Sequence, residues 1–326
     1  MLVRRLITIP AFITATALVT ALLPVLVIAA VILRVVPATK GALPTLGFIL
    51  GYLWCETIGI VTAFAIWVRY RNSQRFLEAN FRLQCWWANA LKIIAERLFR
   101  LTFEVDGEDS LSGPAAIMLP RHASIADTII PMVYYAIPQQ IRLRYVLKRE
   151  LLVDPCLDIV GHRLPNYFVD RHGQDSEGAR RGVAALLANI GEREGALIYP
   201  EGTRFSAAKH ARLVERYAAS ADMLGQLQRW THLLPPRLGG TQSLLGANPG
   251  LDLIFCAHTG FEGSSHFATL INGSWIGAQI RISFWRVPGT VIPADAEAQR
   301  EFLFAQWDRM QAEVLRLQAV PGQGPQ

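Results

Sequence analysis

The sequence predicts an α/β fold, a mixed layered sheet flanked by helices, preceded by an N-terminal transmembrane helical hairpin and an amphipathic interfacial helix. Three observations carry this. The chain opens with two long uncharged runs, a stretch mixing aromatic and basic residues follows, and from Leu101 strand patterns alternate with helix patterns. The expected divisions are 1–75 for the hairpin, 76–100 for the interfacial helix, 101–318 for the α/β domain and 319–326 for a disordered tail.

Leu6–Leu33 contains no charged residue and exceeds the roughly 20 residues that cross a bilayer. Gly41–Val68 follows with Glu56 as its sole charge, after a linker of sequence RVVPATK. An ionisable group inside a span is costly, so Glu56 is expected to face a structural partner on the other span. Arg4 and Arg5 precede the first run, and Arg69, Arg71 and Arg75 follow the second, against Arg34 and Lys40 in the connection. That bias puts both ends, and the domain after them, on the cytoplasmic face of a bacterial inner membrane or the endoplasmic reticulum.

Composition agrees. A hydrophobic fraction of 52% is high for a soluble enzyme. The net charge of +6 suits anionic headgroups and phosphorylated substrates, with no nucleic-acid signature beside it. Cys55, Cys85, Cys156 and Cys256 show no C-x-x-C spacing, so neither a disulfide framework nor a metal site is implied. Phe76–Arg100, with Trp86 and Trp87 among Arg82, Lys92, Arg97 and Arg100, fits a helix lying in the membrane interface or one packed on the globular core.

Strands are expected at LTFEVDG, AAIMLP, LRYVLKREL, NYFVDR, ALIYP, LDLIFCAH and IRISFWRV. Helices are expected over Gly178–Ile190, Ser206–Leu227 and Ala296–Leu317. The chemistry concentrates where AAIMLP runs into RHASIADT. Residues five apart lie about 140° apart on a helix, so His122 and Asp127 meet only if His122 sits in the turn before it. Ser124 as N-cap with Asp127 at the third helical position makes that turn a capping box, from which the carboxylate reaches back to the imidazole. A second such stretch is YPEGTRF, where Gly202 permits close backbone approach and Arg204 offers a planar charged fork for phosphate.

Taken together, these stretches resemble the glycerolipid acyltransferase family that includes 1-acylglycerol-3-phosphate acyltransferases. Its four blocks have counterparts in order: His122 with Asp127, YFVDR ending at Arg171, YPEGTR, and LLPPRLGG at Leu233–Gly240. LKRELLVDP adds Lys148 and Glu150 on the family's K-x-E-L pattern. The departures are Arg121 where the family usually has Asn, Pro165-Asn166 before the second block, and Tyr199 for Phe.

The resemblance implies transfer of an acyl group from a thioester, acyl-CoA or acyl carrier protein, to a lysophospholipid hydroxyl, with no resident cofactor. His122 is then the general base and Asp127 its orienting acid. Arg171 and Arg204 clamp the acceptor phosphate with Lys148 as a further point charge, Glu201 fixes the acceptor loop or bonds the glycerol hydroxyl, and Gly202 and Thr203 complete that substrate-binding loop. The partners implied are membrane lipids, the acceptor and the thioester donor. The alternatives are a different lipid acceptor, a hydrolase using Ser124, which the absence of a G-x-S-x-G elbow disfavours, or a catalytically silent lipid-binding scaffold. The other histidines, His258 among them, lack an Asp five residues on and read as structural or solvent-facing.

Overall fold

The structure is a computed structural model and describes residues 1–170, 175–262 and 267–319. In chain order it begins with α1 (Leu2–Ala21), α2 (Leu23–Leu33), α3 (Ala42–Tyr70) and α4 (Arg75–Phe99). Next come β1 (Thr102–Asp106), β2 (Ala116–Pro120), α5 (Ile137–Gln139), β3 (Arg142–Lys148), α6 (Pro155–Gly161), β4 (Tyr167–Val169), α7 (Ser176–Ala184) and β5 (Glu194–Leu197). The chain closes with α8 (Ala207–Arg216), α9 (Ala221–Arg229), α10 (Leu238–Gly246), β6 (Asp252–Thr259), β7 (Gln279–Val287) and α11 (Ala296–Ala319). The residues fall into two compact units, Met1–Thr102 with Leu147–Arg171 and Phe267–Ala278, and the remainder.

In the first unit the leading apolar run is two helices. α1 ends at Ala21 with Leu22 as its cap, and Pro24 sits in the first turn of α2, a position that needs no proline N–H, while α1 carries Pro10 in its interior. α1 and α3 are long and apolar enough to cross a membrane. Their large apolar side chains point outward at Leu2, Leu6, Ile7 and Leu18 of α1, and at Ile58, Val61, Phe64 and Val68 of α3.

Arg4 and Arg5, at the start of α1, both bond the buried carboxylate of Asp158 in α6, at 2.8 and 3.2 Å. Burial raises the Asp158 carboxyl, and the two guanidinium groups more than reverse it, leaving it below its ordinary value. Glu56 is fully buried but does not pair with the other span. Its two oxygens accept from Trp87 Nε1 at 2.7 Å and from Cys156 N at 3.1 Å, so it ties α3 to α4 and α6. α4 buries Asn80, Phe81, Leu83, Ala88, Leu91, Ala95 and Phe99 and packs along α3, with Trp86 exposed on its other face.

Six of the seven strands belong wholly or mainly to the second unit, in the order β1-β7-β6-β2-β5-β3, and β4 belongs to the first. β2 is the centre. It runs parallel to β5, with Ile117 opposite Ala196, and to β6, with Met118 opposite Ile254. A strand covered on both faces reads as an unbroken apolar run, and Ala116, Ile117, Met118 and Leu119 are all fully buried. β7 pairs antiparallel to β6 and makes the sheet mixed. α11 lies on β6 and β7 and buries Leu303, Trp307, Met310, Val314 and Leu317 at helical spacing.

Besides Glu56, the sequence expectations miss in two further places. Ser206–Leu227 is not one helix, because Ser220 is extended and separates α8 from α9. The segment after Asp127 is not a regular α-helix but a 3₁₀ turn, Asp127–Ile129, followed by a π-helical turn, Met132–Ala136. Of the expected disordered tail, Ala319 is the last residue of α11 and 320–326 lie outside the described residues.

Candidate active site

The carboxyl ends of parallel strands are where an α/β sheet exposes backbone and side chains to a ligand, and the two singled-out stretches leave the ends of β2 and β5. The turn after β2 is organised by one carboxylate. Asp127 Oδ2 accepts from Ala123 N at 2.6 Å and Ser124 N at 2.7 Å, and His122 Nδ1 lies 3.0 Å from Oδ1 and 3.2 Å from Oδ2. The reach-back half of the expected capping box is thus present. Ser124 Oγ accepts from Ala126 N instead of capping a full helix.

Burial alone would raise the Asp127 carboxyl, but His122, His258 and the Ser124 amide outweigh it and hold it below its ordinary value. An ionised carboxylate only accepts, so His122 Nδ1 carries the hydrogen and Nε2 keeps the lone pair. That is the tautomer of a general base.

The loop after β5 is fastened to this turn twice. Glu201 Oε1 accepts from His122 N at 2.7 Å and its Oε2 from Leu234 N at 2.9 Å, while Phe205 N donates to His122 O at 2.7 Å. Glu201 is therefore a buried strut, 1% exposed, joining the first, third and fourth sequence blocks. Burial pushes its carboxyl up to about 8 against the two amide bonds. Gly202 takes φ +67, a left-handed conformation open to glycine, and its N–H donates to Tyr199 O at 2.9 Å.

Arg204 precedes Phe205, so the bond from Phe205 N to His122 O sets its backbone beside the base turn. Lys209, at the start of α8, donates to Thr203 Oγ1 at 2.9 Å and Arg204 O at 2.8 Å.

The remaining site residues are distributed differently. Lys148 ends β3 and belongs to the first unit. Arg171 lies outside the described residues. Arg121 does not offer a free charge to the site. It is fully buried, its Nη2 donates to His232 O at 3.1 Å, and its Nη1 donates to Glu262 Oε1 at 3.0 Å and to His258 O.

Sequence reasoning overlooked three contributors: the Tyr199 hydroxyl, Lys209 and His258. The YPEGTRF stretch contains the first and precedes the second, but no spacing within the chain points to His258. Among the described residues, no cluster of three or more histidines, cysteines or acids is placed to hold a metal ion.

Residues 102–237 match the acyltransferase family model. That segment is similar to acyltransferase domains. It contains the His122 turn, the Glu201 loop and the first part of the fourth block, and it supports the resemblance to glycerolipid acyltransferases drawn from those blocks.

The fold of the chain is similar to the crystal structure of the 1-acyl-sn-glycerophosphate (LPA) acyltransferase PlsC from Thermotoga maritima. The TM-score is 0.58 at 14% identity, over 87% of this chain and 98% of that one. No curated protein matches the sequence.

Proposed function

We propose that this acyltransferase is membrane-bound and moves an acyl group from a thioester, acyl-CoA or acyl carrier protein, to the hydroxyl of a lysophospholipid, with 1-acylglycerol-3-phosphate as the favoured acceptor. The observation that carries the reading is the His122 Nδ1 contact to Asp127, which leaves Nε2 as a basic nitrogen backed by an ionised acid. The Thermotoga maritima neighbour is itself a 1-acyl-sn-glycerophosphate acyltransferase, and the four sequence blocks point the same way.

The acceptor hydroxyl gives its proton to His122 Nε2 as its oxygen attacks the thioester carbonyl. Asp127 stabilises the imidazolium that forms. The tetrahedral adduct collapses, the C–S bond breaks, and the imidazolium returns the proton to the departing thiolate. No acyl-enzyme is needed, because the thioester is already activated and the protein has chiefly to align two partners. Arg204 supplies charge for the acceptor phosphate, and Gly202 and Thr203 shape the loop that presents it; the sequence blocks alone add Arg171 and Lys148 as further phosphate ligands.

Membrane attachment is supported by the apolar side chains exposed along α1 and α3, a surface that a soluble monomer rarely carries. A cytoplasmic active site is supported by the basic residues at both ends of the hairpin.

The test is acyl transfer by the full chain in detergent micelles, with acyl-CoA and acyl carrier protein donors against lysophosphatidate, other lysophospholipids and monoacylglycerol. Turnover with lysophosphatidate above the other acceptors is the expected result. Preference for another acceptor would reassign the substrate, and no transfer to any of them would leave a lipid-binding scaffold.

A further inference from the structure

Asp127 faces a second imidazole. β2 stays in register with β6 to its own end, with Pro120 opposite Cys256, and Arg121 N donates to Cys256 O at 2.9 Å. Two residues beyond Cys256, His258 is 1% exposed. Its Nε2 lies 3.1 Å from Arg121 O and 3.6 Å from Asp127 Oδ2. Its Nδ1 is buried and has no hydrogen-bond partner among the described residues.

These contacts decide the state of the ring. A backbone carbonyl only accepts, so Nε2 carries the hydrogen. A proton added at Nδ1 would be a buried N–H with no acceptor among the described residues, which is costly. Burial lowers the His258 pKa and the nearby Arg121 lowers it further, against the pull of Asp127 and Glu262. His258 is therefore neutral, with one edge fixed.

Arg121 closes the arrangement from the other side. Its guanidinium donates to the His258 carbonyl and to Glu262, while its own carbonyl receives the His258 ring. The departure from the family's usual Asn at this position is thus spent on holding His258.

We propose that His258 is a positioning residue for acyl transfer, a neutral imidazole whose Nε2–H braces the Arg121–His122 turn and turns its positive edge to Asp127. At 3.6 Å the contact with the carboxylate is a dipole at close range, too long for a good hydrogen bond. In a dry site such a fixed dipole favours the ionised acid. It also keeps Asp127 from turning toward the sheet and away from His122. The inference rests on the reading of His122 as the base.

Among the described residues the charged and titratable groups around the His122–Asp127 pair include Arg121, Glu201, Tyr199, Cys256 and Glu262, and the sign follows from what His258 adds to them. The neutral-base state of the pair carries one negative charge, on Asp127. Removing a donor edge from that charge makes the pair take up a proton at higher pH. The acidic limb of the kcat/KM profile then moves upward.

The experiment compares the full chain in detergent micelles as wild type, His258→Met, His258→Gln and His122→Ala, using oleoyl-CoA and 1-oleoyl-lysophosphatidate. His258→Met keeps apolar volume and loses the donor, while His258→Gln places an amide N–H near the original Nε2. The expected results are a kcat lowered about tenfold in His258→Met, the scale of one lost interaction at a carboxylate, with KM unchanged and the acidic limb raised. His258→Gln should recover most of the rate and the wild-type limb.

Nitrogen-15 NMR of the wild-type imidazoles, with His258 assigned through His258→Gln, gives a readout should the methionine variant fail to fold. It should find His258 neutral and protonated at Nε2 at pH 7. A folded His258→Met with wild-type kcat and an unmoved limb overturns the inference, as does a His258 that is cationic or protonated at Nδ1 at pH 7. If His122→Ala is inactive while His258→Met is indifferent, only the role of His258 falls. If His122→Ala retains turnover, the base assignment falls and this inference with it.

Discussion

Tyr199 donates its hydroxyl to the backbone carbonyl of Asp127 at 3.2 Å, while its ring lies 4.4 Å from that of His122. The side chain just past the end of β5 thus holds both the Asp127 backbone and the His122 ring. A phenylalanine, usual for the family at this position, would keep the ring contact and lose the bond. Tyr199→Phe is expected to lower stability by ~1 kcal/mol, the net worth of one hydrogen bond, and to leave kcat within a fewfold of wild type. Thermal unfolding in detergent and steady-state kinetics check this. A loss of several orders in kcat would mean that the hydroxyl takes part in the chemistry.

Asp127→Asn should be far more damaging than its small change in shape suggests. The amides of Ala123 and Ser124 need an acceptor, so the asparagine oxygen must turn toward them and its NH₂ toward His122 Nδ1. That forces the hydrogen of His122 onto Nε2, where the base must be free. A fall in kcat of about 10²–10⁴-fold with little change in KM is expected, since a base in the wrong tautomer forfeits general-base catalysis. Wild-type turnover in this variant would remove the pair from the mechanism.

Glu201 links pH to stability. Its carboxyl rises from an ordinary 4.5 to about 8 in the folded protein, so the unfolded chain releases this proton first. Its contribution is complete below about pH 4.5 and declines as pH rises through 8. Glu201→Gln cannot ionise, and it retains an acceptor for only one of the His122 and Leu234 amides. It should be less stable than wild type at acid pH, with the gap narrowing between pH 5 and 8. Unfolding temperatures measured across that range test the sign. A constant gap would mean that the carboxyl is ionised throughout.

How much of the fold and the site is legible in the sequence follows from where the determinants sit. The strands are legible because a buried parallel strand such as Ala116–Pro120 is an unbroken apolar run, and all seven appear near their expected places. The His122–Asp127 turn is legible because its partners are five residues apart. Glu201 is marked by its motif, but its role is not, since the amides it holds belong to residues 79 and 33 positions away. His258 carries no local mark, because the register of β2 against β6 brings it to Asp127 from 131 positions away by number (258 − 127). Glu56 is expected to meet the other span, and its partners prove to be Trp87 and Cys156 N, which are recognisable only once α4 and α6 are packed.

Lys209 and Arg204 separate two ways of losing the acceptor. Arg204 is the proposed phosphate ligand, and a charged bond of that kind is worth about 1.5–3 kcal/mol. Arg204→Ala should therefore raise KM for lysophosphatidate about 10- to 100-fold while barely changing KM for monoacylglycerol, which has no phosphate. Lys209 instead fastens the loop through Thr203 Oγ1 and the Arg204 carbonyl. In Lys209→Met the guanidinium survives on a looser backbone, so KM for lysophosphatidate should rise less than in Arg204→Ala, and kcat should fall because the adjoining Phe205 N also steadies His122 O. Parallel kinetics on the two acceptors decide the matter. If Arg204→Ala weakens both acceptors alike, Arg204 shapes the loop and does not read the phosphate.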